Sequence, residues 1–366
     1  MKFATALKTV VAGGAAVALA LVSACGSPPA DKDAKGSGNT YGSADAKFRA
    51  CMVTDAGGVD DKSFNESGWN GVKAAVDANK DISGSYRQSN STADYEPNLR
   101  ASADDAACGL VIGVGGLMAD AVETVAKENP DKRFAIVDSH VDLPNVYSME
   151  FNAAQSSYLA GYLAAGTTKT GKVAIWGGMQ IPAVTIFMDG FAAGVAKYNQ
   201  AHNTNTAVLG WDTAAQKGSF TGNFDDTSAG RSLTENFLAQ GADVIHPVAG
   251  PVGLGGASAI KDAGNASMIW VDSDGYQAVP EYKQIMLSSS MKDISSAIRV
   301  SIDNAFKEGA KDGRYVGTLS NSGVALAPFY DFDSKVPDAL KQEIKQLQAD
   351  IVAGTVTVSS PAAPKP

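Results

Sequence analysis

The sequence predicts an α/β protein of two lobes, each a mainly parallel sheet covered by helices on both faces. Three observations carry this. Short apolar runs alternate with helical patterns from Phe48 onward, the mark of repeated βα units. The alternation pauses at one long alanine- and tyrosine-rich helix, Ala153–Lys169, and then restarts. At 366 residues, with 45% hydrophobic content and 38 glycines, the chain can fill two cores and supply many tight strand–helix turns.

In chain order, the first strands are Phe48–Thr54, Ser83–Gln88, Leu110–Val114, Phe134–Val137 and Val146–Phe151. Helices lie between them at Phe64–Asn79, Glu96–Asp105 and Met118–Glu128, the last stopped by Asn129-Pro130. The second set of strands is Val173–Trp176, Val208–Trp211, Val244–Val248 and Met268–Val271, with helices at Thr185–Tyr198, Ala229–Ala239 and Gly255–Asp262. A crossover back is expected near Gln284–Ser290, followed by a helix at Ile294–Glu308. Val316–Leu326 reads as a paired strand segment and Pro337–Ala353 as an amphipathic helix. Lobe 1 is thus expected over about 47–151 plus a returning segment near 285–315. Lobe 2 takes about 152–284 plus the C-terminal part, within one domain of 47–358, and 359–366 is a Pro/Ala tail.

The N-terminus reads as an export signal. Lys2 and Lys8 precede an apolar run, Val10–Val22, that is short for a membrane span. It ends in Val22-Ser23-Ala24-Cys25, which resembles a bacterial lipobox; cleavage after residue 24 would leave Cys25 to carry a lipid. The following residues, to Ala46, are Gly, Ser, Pro, Asp and Lys with few apolar side chains, a composition expected of a flexible tether. Cys51 and Cys108 remain. They lie at the starts of strands that a 2-1-3 sheet order makes neighbours, so either a disulfide or two buried thiols fits the sequence.

The net charge is −9, and no basic cluster occurs outside the extreme N-terminus, which argues against nucleic acid as a partner. The stretch Gly166–Val173 falls short of a phosphate-binding loop, because Val173 stands where a Ser or Thr is needed and the loop follows a helix. His140, His202 and His246 share no metal-ligand spacing, and there is neither a CxxC pair nor a GxSxG elbow. No metal, cofactor or catalytic set is expected; the chain does not read as an enzyme.

What stands out is the stretch Val53–Gly71. A strand ends at Asp55, and after a polar loop with two glycines a helix starts sharply. Ser63 and Glu66 are spaced as a capping box, placing Phe64 on the first helical turn. Asp55, Asp138, Asp272 and Asp274 each follow an apolar run, so they are expected at the carboxyl edges of the sheets, facing an inter-lobe cleft. A carboxylate can accept from both hydroxyls of a vicinal diol such as that of ribose. Singly, an Asp in such a place is more often a turn former or helix cap.

These residues also carry a resemblance. VTDAGGVDDKSFNESGWNG is similar to the signature of the basic membrane protein family, purine-nucleoside-receptor-like lipoproteins that serve ABC transporters. The similarity continues through FAIVDS, NVYSMEFNAAQSSYLAGYLAA, KTGKVAIWGGMQIP, GADVIHPVAG and IWVDSDGY, in family order. The resemblance implies a type I periplasmic-binding-protein fold, with two Rossmann-like lobes joined by a hinge. It implies a lipid-anchored protein on the outer face of the cell membrane, delivering nucleosides to a permease and ATPase. Asp55, Asp61, Phe64, Asn65 and Asp138 match ligand-contacting positions, with Phe64 as one wall of a stack over the base. His246 stands where the family commonly has the opposing aromatic. Gly250 and Gly253 would let backbone approach the ligand, Asp272 and Asp274 would meet sugar hydroxyls, and Lys292 would contact a base acceptor or pair with an aspartate. A sugar- or autoinducer-binding protein of the same fold, or a surface sensor without transport, would use a similar scaffold. Trp69 and Trp176 read as packing residues.

Overall fold

The computed structural model describes residues 39–307 and 312–365. The export signal, Cys25 and the first part of the tether lie outside the described residues. The first lobe runs through β1 (Thr40–Tyr41), β2 (Phe48–Thr54), α1 (Phe64–Ala78), β3 (Ile82–Gln88), α2 (Tyr95–Ala103), β4 (Cys108–Val114), α3 (Ala119–Glu128), β5 (Phe134–Val137) and β6 (Val146–Phe151). The crossing helix α4 (Ala153–Thr167) leads to β7 (Lys172–Gly177), α5 (Pro182–His202), β8 (Ala207–Leu209), β9 (Trp211–Asp212), β10 (Lys217–Gly218), α6 (Thr227–Ala239) and β11 (Val244–Val248). Then come α7 (Gly253–Ala263), β12 (Ser267–Asp272), α8 (Gly275–Ala278), β13 (Met286–Lys292), α9 (Ile294–Lys307), β14 (Gly313–Gly317), β15 (Val324–Leu326) and α10 (Asp338–Val352).

The strands form two large sheets, ordered β1-β3-β2-β4-β5-β6-β14 and β15-β13-β12-β11-β7-β8. With the edge strand β1 set aside, each sheet counted within its own lobe has the doubly wound order 2-1-3-4-5 with one late strand added beyond the fifth. All pairs in the large sheets are parallel except β1 with β3 and β15 with β13. In such sheets the loops at the carboxyl ends, near the switch in strand order, are where ligands bind. β2 and β5 of the first lobe, and β11, β12 and β13 of the second, all end toward the same cleft.

Three passages join the lobes: Phe151 into α4, Lys292 into α9, and β14 into β15. They are tied together by backbone bonds, with Asn152 N–H donating to Gly317 (2.8 Å) and Asp293 N–H to Gly323 (2.9 Å). The return to the first lobe comes later than expected. Residues 286–292 stay in the second sheet as β13, parallel to β12, and the chain goes back only with α9, packed on α1, and then β14, paired with β6. Ser288, Ser289 and Ser290 are small enough to sit fully buried in that central strand. Likewise Val316–Leu326 is not one paired segment: its two ends belong to different sheets as β14 and β15. Val208–Trp211 is also divided, at Gly210, and β9 pairs with β10 outside the sheet.

α4 is buried all round. It packs on α5 at Gly161, Gly190 and Gly194, where any Cβ would strike the opposing backbone. This close approach fixes the first half of α5 over the cleft. At the other end of the first sheet, Cys51 and Cys108 are joined in a disulfide with Cα atoms 5.7 Å apart. The described end of the tether is ordered: Thr40–Tyr41 adds an antiparallel edge to β3, and the Tyr41 hydroxyl donates to Asp77 (3.1 Å). Tyr41 gives the segment its one large side chain, enough to anchor it against an open sheet edge.

Candidate functional site

The cavity between the lobes is a narrow slot of about 60 Å³, and its walls mix carboxylates with aromatic and aliphatic side chains. From the first lobe come Asp55, Asp61, Phe64, Gly115 and Asp138; from the second come Phe187, Phe224, Gly250, Asp272 and Lys292.

Asp61 organises the first wall. Its carboxylate accepts from the backbone N–H groups of Ser63 (3.0 Å), Asn65 (2.8 Å) and Glu66 (3.0 Å), answering the orphan donors at the start of α1. The Ser63–Glu66 capping box expected from the sequence does not form. Ser63 instead turns across the cleft, donating through Oγ to the Val271 carbonyl (3.1 Å) and to Asp272 Oδ2 (3.4 Å). One carboxylate serving three amides displaces one hydroxyl serving one, which frees Ser63 to join the lobes. Burial pushes the Asp61 carboxyl up to about 6, against the pull of these three bonds.

Asp55 is held by Asn65, whose Nδ2 donates to its Oδ1 (2.7 Å). No cation pairs with it among the described residues, and burial pushes its carboxyl up to about 8, with Asp61, Asp138 and Asp272 adding repulsion. At neutral pH it is protonated and offers one donor to the slot. Gly115 makes room for it: φ is +126°, and a Cβ there would lie 2.8 Å from Asp55 Oδ2.

Asp138 directly follows β5 and Asp272 ends β12, and both adopt left-handed backbone, φ +63° and +64°. Asp tolerates that region better than most residues, yet at a cost. Lys292, at the end of β13, reaches between them. Its ammonium lies 2.6 Å from Asp138 Oδ2 and 3.1 Å from Asp272 Oδ1, with all three side chains almost wholly buried. Burial works against the Lys292 charge, but the two carboxylates outweigh it and hold the amine above its ordinary range. The same ammonium lies 4.9 Å from the Phe64 ring centre and 5.2 Å from that of Phe187, so an aromatic face of each lobe flanks the cluster.

Seven of the expected residues therefore meet at the slot: Asp55, Asp61, Phe64, Asp138, Gly250, Asp272 and Lys292. Four do not line it. His246 is fully buried within β11, its Nδ1 3.0 Å from the Ile269 carbonyl and its ring packed by Phe187 and Phe191. Burial lowers its pKa to about 4, so it is a neutral core residue and not a stacking wall. Asp274 caps α8 through Tyr276 N–H (3.1 Å) and accepts from the Tyr330 hydroxyl, because the chain turns away from the slot after Asp272. Gly253 opens α7 against the Trp270 ring. Asn65 acts through Asp55. Trp69 and Trp176 are packing residues as expected, Trp69 edge-on to Tyr86.

Phe187, the aromatic that α5 brings to the slot, carries no sequence signal that sets it apart within the expected helix Thr185–Tyr198, and α5 begins three residues before that expected start. Pro182 occupies the first turn of α5, where proline is favoured, and Ile181-Pro182 was the available signal of that start. The lobes close on one another at the rim, where Ser273 Oγ donates to the Lys62 carbonyl (2.9 Å) beside the Ser63–Val271 bond.

Comparison with known proteins gives the family and the fold. Residues 48–360 match the family model described as "ABC transporter substrate-binding protein PnrA-like". The ABC transporter nucleoside-binding protein BmpA of Lactococcus lactis is 32% identical over 345 residues, covering 88% of this chain and 92% of that protein. Basic membrane protein A of Borreliella burgdorferi is 30% identical, covering 85% and 88%. Among solved structures, an ABC transporter solute-binding protein from Aeropyrum pernix K1 superposes with a TM-score of 0.78 at 23% identity, over 86% of this chain and 94% of that one. A solute-binding protein from Bacillus halodurans with bound myo-inositol gives 0.57 at 12% identity, over 82% and 99%. These likenesses establish the type I periplasmic-binding-protein fold.

Proposed function

The chain belongs to the basic membrane protein family of PnrA-like ABC-transporter substrate-binding proteins, and from that premise we propose that it captures nucleosides, purine nucleosides foremost, in the inter-lobe slot. The observation that carries the proposal is the buried Asp138–Lys292–Asp272 cluster flanked by Phe64 and Phe187. A planar base suits a narrow slot with an aromatic ring from each lobe. A ribose diol suits the cluster: its two hydroxyls donate to the carboxylates, and the ammonium donates back to a hydroxyl oxygen. Protonated Asp55 supplies a donor to a ring nitrogen or carbonyl of the base.

Closure follows from the same contacts. A ligand bound by Asp138 and Phe64 draws in Asp272, Lys292 and Phe187, and the closed form is what a membrane permease and its ATPase would recognise. Lipid on Cys25 would hold the protein at the outer face of the membrane. Thermal shift of ligand-stripped protein across nucleosides, nucleobases and free sugars tests the reading. Stabilisation by ribonucleosides and not by ribose or myo-inositol is the expected result; stabilisation by sugars alone would replace nucleosides with a sugar cargo.

A further inference from the structure

The slot opens into an outer chamber of about 300 Å³ that shares Asp138 and Lys292 with it. Its far side is apolar, with Phe151 and Ile186, and part of its wall is the chain's own end, Ala362 and Pro364. That end is anchored and not a loose tail. Ser360 Oγ donates to Asp189 Oδ2 (2.6 Å), and Asp189 is fully buried, accepting also from Trp211 Nε1 and Gln216 Nε2 at 2.9 Å. Val358 is buried ahead of it.

We propose that this outer chamber is a subsite for an uncharged 5′ substituent, so that the protein accepts 5′-modified nucleosides such as 5′-thioethers as well as the parent compounds. The inference rests on the nucleoside reading. With the base between Phe64 and Phe187 and the diol at Asp138 and Lys292, C4′ and C5′ are the sugar atoms left to face the shared opening. A chamber five times roomier than the slot leaves C5′ free to carry more than a hydroxyl. Its charges exclude a phosphate. Lys292 is committed to two aspartates, and Glu150, the acidic group of the outer wall, already holds Arg314 (2.6 Å) and has His140 at 3.8 Å. An anionic substituent would meet Glu150 and Asp138, and among the described residues lining the chamber the one lysine, Lys292, is already shared between two aspartates and the sugar.

Calorimetry with adenosine, 5′-deoxy-5′-methylthioadenosine and adenosine 5′-monophosphate tests this. The thioether is expected to bind at least as tightly as adenosine and the monophosphate at least about 30-fold more weakly. Ala362→Trp, which fills the chamber from its outer wall, is expected to weaken the thioether by about tenfold and adenosine by less than about threefold. Deletion of residues 361–366, which keeps the Ser360 anchor, is expected to remove part of any advantage of the thioether over adenosine. Adenosine binding with the thioether rejected, or Ala362→Trp affecting both alike, overturns the subsite alone. Failure of all three compounds to bind overturns the nucleoside reading as well.

Discussion

Asp138 and Asp272 hold the same place in the two sheets, at the carboxyl ends of β5 and β12, each with φ near +63° and each within 3.1 Å of one ammonium, that of Lys292. Even the local sequence repeats, Val137-Asp138-Ser139 against Val271-Asp272-Ser273. The two lobes thus offer matching carboxylates to a single point, and one lysine neutralises part of their charge. Left-handed backbone at a non-glycine residue costs roughly 1–2 kcal/mol and persists where the surroundings over-determine it. Of the seven described non-glycine residues with such backbone, these two stand at equivalent positions and both line the slot.

Removing one of these carboxylates should cost binding and little folding. Asn keeps the shape of Asp138 and tolerates φ +63°, whereas Ala adds backbone strain of roughly 1 kcal/mol. Lys292 keeps Asp272 as partner, so no uncompensated charge is left buried. Asp138→Asn is expected to weaken nucleoside binding by about 2–3 kcal/mol in calorimetry, with the unfolding midpoint nearly unchanged.

Asp55 makes stability fall with rising pH. Its carboxyl titrates near 8 in the folded protein against an ordinary 3.8. Folded and unfolded states bind the proton alike below about 4; between about 4 and 8 the unfolded chain releases it and the folded protein does not, so unfolding gains. Asp55→Asn keeps an acceptor for Asn65 and removes the titration. The variant is expected to be more stable than the parent by roughly 2–4 kcal/mol at pH 7.5, with the difference vanishing near pH 4. Urea unfolding across that range checks both the sign and the window.

Phe187, and not His246, should control base affinity. Phe187→Ala is expected to cost about 1–3 kcal/mol of nucleoside binding. His246→Leu, in the strand core, is expected to change affinity by less than about threefold while shifting stability by about 1 kcal/mol through the lost bond to Ile269. Parallel titrations of the two variants separate the roles.

The Cys51–Cys108 disulfide closes 57 residues of chain at the end of the first sheet away from the slot. Its removal as Cys51→Ala/Cys108→Ala is expected to lower stability by about 4 kcal/mol, by the entropy restored to the unfolded chain. Ligand affinity measured on the folded variant should not move.

Much of this was legible in the chain. Phe48–Thr54, Phe134–Val137, Val146–Phe151 and Val244–Val248 are strands at their expected bounds, because apolar runs cut by Asp, Asn or Gly leave little choice. An Asp after such a run marks a sheet edge, which located Asp55, Asp138 and Asp272. The failures share one cause: the deciding contact is distant in sequence. Asp61 outcompetes Ser63 only because the loop folds back on α1, and Ser63 then finds Val271, 208 residues away. His246 lies inward because its strand alternates against Ile269 and α5. Asp274 follows an apolar run as its neighbours do, but α8 begins immediately after it and takes it as a cap.

The most direct measurement is the affinity of ligand-stripped protein for a ribonucleoside and its 2′,3′-dideoxy analogue, compared for adenosine, guanosine and inosine. The dideoxy form leaves Asp138 and Asp272 without hydroxyl partners in a closed slot, and binding at least about 100-fold weaker is predicted. Equal affinity for the two forms would contradict the claim that this pair of aspartates reads a vicinal diol.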